Sequence, residues 1–138
     1  KNKNLINYDN NLTIETSDFK DNKYNNVFLV SNKNENRKIK LSQKNIEFKG
    51  NLFEDQKKRL LEKSIDCEII DVKDLETMKD NLLCLYPSVG ENLDFINSNK
   101  LKNISFLYRK IDQYSWKYCN KGFFNFKNYI PKIVQEFI

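Results

Sequence analysis

Apolar positions along this chain fall into short clusters separated by polar stretches rich in Asn, Lys and Asp. Val27-Phe-Leu-Val30 is a compact β-branched and aromatic run, and it predicts the first firm strand. Ser31–Asn36 is a polar turn of the kind that joins hairpin strands. Arg37–Ser42 then alternates, with Ile39 and Leu41 on one face, which predicts the returning strand. Asn45–Phe48 reads as a further short strand, closed by Lys49-Gly50. Asn51 is placed to cap a helix over Leu52–Ser64, whose Leu52, Phe53, Gln56, Leu60 and Leu61 fall near one face while Glu54, Asp55, Lys57 and Lys58 point away.

The second half is more sharply patterned. Ile65–Val72 is apolar on both sides, which predicts an interior strand of a sheet covered on both faces. Lys73–Asp80 reads as a helical turn or loop. Leu82–Tyr86 is a strand stopped by Pro87, followed by a helix near Glu91–Ser98 with Leu93 and Ile96 in its buried stripe. Ile104–Tyr108 is the next strand. Ile111, Tyr114 and Tyr118 then predict a helix over Lys110–Asn120, ended by Lys121-Gly122. Phe123–Ile130 reads as an extended aromatic tail, and Pro131–Ile138 as the start of another helix. Residues 1–26, with few apolar positions, read as a flexible flank in which Leu12–Ile14 offers a short edge strand; 27–138 reads as one domain.

Composition changes this picture little. Lys and Arg number 24 against 19 Asp and Glu, a net charge of +5. That surplus favours an acidic partner, yet 21 Asn and the absence of Ala and His also fit AT-rich codon usage. The missing His removes the commonest general base and zinc ligand. Cys67, Cys84 and Cys119 are dispersed in apolar or aromatic settings and read as free thiols. No glycine spacing forms a phosphate loop. Asp66, Glu68, Asp71 and Asp74 alternate with apolar residues and read as solvated charges rather than a metal site. No cofactor and no catalytic residue is expected. No apolar run approaches the ~20 residues of a membrane span, so no membrane partner is expected either.

The order of elements from Lys38 onward, together with Trp116, Cys119, Gly122 and Tyr129, resembles the BRCT domain. The opening Val27–Leu41 and Lys57–Leu61 resemble the variety found in the telomeric repressor-activator protein. Where such domains carry a Gly pair after the first helix, this chain has Ser64-Ile65. The resemblance implies an α/β, three-layer domain: a four-stranded, mostly parallel sheet flanked by helices, with an added N-terminal hairpin. It implies a non-enzymatic protein–protein interaction module of a larger nuclear protein in telomere maintenance or DNA repair. The partner would be a protein, phosphorylated or not; Ser42 and Lys100 are the positions that match a phosphopeptide pocket. The alternative is a nucleic-acid-binding α/β domain, with Arg109, Lys110, Lys117 and Lys121 interleaved with aromatics.

Overall fold

A computed structural model describes residues 3–7, 24–87, 89–98, 101 and 103–138. Five strands, β1 (Lys3–Asn7), β2 (Tyr24–Ser31), β3 (Asp66–Asp71), β4 (Leu82–Leu85) and β5 (Ile104–Leu107), form one sheet in the order β3-β2-β1-β4-β5. Every pairing is parallel. The helices are α1 (Gln43–Glu62), α2 (Glu91–Ser98), α3 (Lys110–Trp116), α4 (Phe123–Phe126) and α5 (Ile130–Phe137). The chain divides into two compact units, Lys1–Leu107 and Tyr108–Ile138.

Alternation along β2 and β4 builds a core on each face of the sheet. Val27, Leu29, Leu83 and Leu85 pack with Phe53 and Leu60 of α1. Val30, Leu82 and Cys84 pack on the other side with Val72 and Leu75, from a 3₁₀ turn over Val72–Thr77, and with Ile96 of α2. A sheet covered on both sides is the usual home of parallel strands. All four residues of β4 are buried, which explains the unbroken Leu-Leu-Cys-Leu run.

Several expectations are corrected by this arrangement. Among the described residues the sheet has five strands, not four, because Lys3–Asn7 inserts between β2 and β4. The stretch 1–26 thus supplies β1 and the start of β2; the edge strand expected at Leu12–Ile14 lies outside the described residues. β3 lies at one end of the sheet order and β5 at the other, so Ile65–Val72 does not supply the interior strand expected of it, and β3 shows outward Asp66 and Glu68. Among the described residues there is no N-terminal hairpin. Arg37–Ser42 forms no strand, and Asn45–Phe48 lies inside α1, which starts nine residues before the expected Leu52. The deciding local interaction is the cap. The Ser42 hydroxyl accepts a hydrogen bond from the Asn45 amide at 3.3 Å, and from there Ile46, Phe53 and Leu60 share a helical stripe. Two apolar residues in alternation, Ile46 and Phe48, are too short a signal to outvote a helix of twenty residues.

The end of α1 makes a Schellman motif. Ser64 N donates to Leu61 O and Ile65 N to Leu60 O, both at 3.0 Å. Ser64 sits at φ +58°, the only non-glycine at positive φ among the described residues. Left-handed backbone costs a side-chain-bearing residue about 1 kcal/mol. Ser64→Gly is therefore expected to stabilise the fold by about 1 kcal/mol, read as a higher urea midpoint with unchanged slope; an unchanged midpoint contradicts the cap assignment.

The second unit is helical throughout. The expected helix over Lys110–Asn120 stops at Trp116 and passes through a 3₁₀ turn, Cys119–Lys121, to Gly122 at φ +80°. The extended tail is instead α4 and a turn leading to α5, with Pro131 in the first turn of α5, where its missing N–H costs nothing. Ile133 is the buried anchor, and Phe137 meets Tyr114 edge-on at 5.3 Å.

Candidate functional site

The strand order reverses between β1 and β4: the chain runs β1-β2-β3 toward one edge and β4-β5 toward the other. In open α/β sheets, ligands collect at the carboxyl ends of the strands beside such a reversal. The segment after β2 reaches this place. It leaves the sheet at Ser31, makes one 3₁₀ turn at Asn34–Asn36 and enters α1 at Ser42.

Asn34 holds this segment closed. Its side-chain oxygen accepts from Leu41 N at 2.8 Å, and its amide donates to Leu41 O at 3.2 Å. The Lys40 ammonium donates to the Asn34 and Glu35 carbonyls at 3.0 and 2.9 Å. So clamped, the loop presents Arg37 to Glu91, the first residue of α2, with the guanidinium 2.9 Å from Glu91 Oε2. The two side chains are 16% and 28% exposed, so the pair is largely withdrawn from water. The pair joins the segment after β2 to the helix after β4, and β1 lies between those two strands in the sheet order.

Two clefts adjoin here and share Asn32. One, of about 320 Å³, has an apolar floor of Val30, Leu41, Ile46 and Phe53, with Lys33, Arg37, Lys49 and Asn92 at its polar side. The other, of about 400 Å³, lies among Asn32, Lys38, Lys73, Glu91, Asp94 and Phe95. Three polar atoms at this junction are buried without a hydrogen-bond partner: Asn32 Oδ1, Arg37 Nε and Glu91 Oε2, whose contact with Arg37 is an ion pair without hydrogen-bond alignment. Buried polar atoms are nearly always satisfied, so three orphans in one place mark somewhere a polar molecule fits. Gly50 faces the first cleft, and a Cβ built on it would meet nothing within 4 Å. Among the described residues no three His, Cys, Asp or Glu gather as a metal site. Instead Asp71 and Asp74 cap the 3₁₀ turn that follows β3.

The residues singled out by sequence lie elsewhere. Ser42 caps α1, and Lys100 lies outside the described residues. Arg109 is held by Asp112 in a two-pronged contact at 2.7 and 2.8 Å. Lys110 opens α3. The Lys117 ammonium sits 4.0 Å from the Tyr114 ring centre and 5.0 Å from that of Tyr118, and Lys121 lies in the turn before Gly122. Tyr118 stacks on Tyr129 at 4.2 Å. The hydrogen bond that Tyr114 and Tyr118 share pushes the Tyr114 hydroxyl up and the Tyr118 hydroxyl down, and the two phenols raise the Lys132 ammonium. Structure thus brings Lys117 together with Tyr114 and Tyr118. Asn32, Arg37, Glu91 and Asn92 were not legible as a site, since reading Arg37–Ser42 as a strand hid the loop that carries Arg37.

No helix among the described residues is long and apolar enough to cross a membrane. No family model, no curated protein and no solved structure matches this chain.

Proposed function

We propose that the chain binds a phosphorylated small molecule of the nucleotide class at the carboxyl edge of its sheet. The observation that carries this reading is the cluster of Asn32, Arg37 and Glu91 beside two adjoining clefts, with three buried polar atoms that have no hydrogen-bond partner. Arg37, Lys33 and Lys49 supply cations for phosphate, with Arg37 able to offer a planar fork. Asn32 Oδ1 and the Glu91 carboxylate accept from sugar hydroxyls. The apolar floor around Phe53 suits a flat ring.

The test is calorimetric titration with ADP, GDP and UDP, with inorganic phosphate as the control. At least one nucleotide is expected to bind, and Gly50→Leu, which fills the cleft from a position free of steric contact, is expected to weaken it about tenfold or more. Removing the helix glycine stabilises α1 by about 0.5–1 kcal/mol, so loss of binding cannot be assigned to unfolding. Absence of binding by all three nucleotides, or full binding by Gly50→Leu, defeats the assignment.

A second reading is the protein-interaction module of BRCT type, in a nuclear protein of telomere maintenance or DNA repair. It is supported by the order of β2, α1, β3, β4, α2 and β5 and by the positive φ of Gly122 after Trp116 and Cys119. Capture of the chain on immobilised phosphopeptides, unaffected by Gly50→Leu, favours that reading over the first.

A further inference from the structure

Charge is unevenly divided along the chain. Residues 108–138 hold six Lys and Arg against two Asp and Glu, a surplus of four out of the whole chain's +5. The same segment carries nine of the eighteen aromatic residues. Two of them, Phe123 and Phe124, follow the Gly122 turn and are 66% and 78% exposed. Lys121 and Lys127 bracket the pair in sequence, and the Lys127 ammonium lies 5.6 Å from the Phe124 ring centre. Trp116 is 45% exposed in the same unit. Exposed neighbouring phenylalanines are costly in water and uncommon on a surface without a partner.

Two anionic partners fit such chemistry, single-stranded nucleic acid and a lipid surface, and the ring geometry separates them. Stacking of bases needs open aromatic faces. Tyr118 and Tyr129 already stack on each other, Lys117 covers Tyr114, and Arg109 is engaged by Asp112. Phe123 and Phe124 meet edge to face at 5.8 Å, both exposed at the start of α4, and make an apolar patch rather than a pair of parallel ring faces. Exposed phenylalanines flanked by lysines are suited to the boundary between headgroups and acyl chains: the rings enter, and the ammonium groups stay at the phosphates.

We propose that the Phe123-Phe124 turn docks the chain onto an anionic lipid surface, with Lys121 and Lys127 contacting the headgroups. The test is sedimentation of the chain with vesicles of phosphatidylcholine alone or mixed in equal parts with phosphatidylglycerol, alongside emission of Trp116, the single Trp. Binding is expected to the mixed vesicles, weakening with added salt. Phe123→Ser with Phe124→Ser is expected to weaken it about tenfold or more. Lys121→Gln with Lys127→Gln is expected to weaken it by about fivefold per lysine and to flatten the salt dependence. All four positions are exposed, so unchanged far-ultraviolet circular dichroism is expected of both variants. No sedimentation with the mixed vesicles at low salt, or sedimentation unchanged by the Phe pair, overturns the proposal. So does tighter binding of the chain to poly(dT) than to the vesicles, lost in the lysine variant, which assigns the surface to nucleic acid. Nucleotide binding in the cleft is independent of each of these outcomes.

Discussion

Leu60→Ala is expected to lower the free energy of unfolding by about 3 kcal/mol, within the range of roughly 2–5 kcal/mol for a fully buried leucine. Leu60 has no exposed surface and lies in the α1 face of the core beside Phe53 and Cys67. It also provides the carbonyl that receives Ile65 N in the Schellman motif, so the cavity opens where helix and strand are tied together. Leu61, the next residue, is 49% exposed, and Leu61→Ala is expected to cost well under 1 kcal/mol. Urea denaturation of both variants checks the pair. Equal losses would mean that the register of α1 against the sheet is wrong.

Alkaline pH is expected to unfold the chain through its buried thiols. Burial pushes the Cys84 thiol from an ordinary 9.0 up to about 12, and burial, partly offset by Lys57, pushes that of Cys67 to about 11. Below 9 both thiols are protonated in the folded and unfolded chain alike, and their contribution to stability is constant. Between 9 and 12 the unfolded Cys84 ionises while the folded one does not, so unfolding releases a proton and stability falls as pH rises. Three units correspond to a loss on the order of 4 kcal/mol from Cys84 once its folded value is passed. Cys84→Ala removes this dependence at the expense of some packing. The expected result is a stability difference between wild type and Cys84→Ala that is flat below 9 and shrinks steadily above it. A difference that stays constant across that boundary contradicts a solvent-excluded Cys84.

How far the sequence reveals this fold depends on the kind of signal each segment carries. Leu82–Leu85, Ile104–Leu107 and Glu91–Ser98 were readable because their apolar spacing reports burial directly. The α1 start was not, because a serine cap and one glycine at position 50 look locally like strand and turn. Lys3–Asn7 was missed for a different reason: a short strand amid Asn and Lys is stabilised by its neighbours on both sides, not by its own propensity. The two-sided apolarity of Ile65–Val72 suggested an interior place, yet β3 terminates the described sheet order, with Cys67 facing α1 and Ile70 the opposite core. Site residues were the least legible. Arg37 and Glu91 are far apart along the chain, and only the reversal of strand order brings them together.

The central place of β1 also governs how the chain assembles. Leu5 aligns with Val27 on one side and with Leu83 on the other, so β1 receives its second neighbour only after β2, α1 and β3 have been made. Loop closure on that scale is slow. Until Leu82–Leu85 arrives, one margin of β1 is an open row of amide and carbonyl groups, a natural place for a chaperone or a stray β-segment to attach during synthesis.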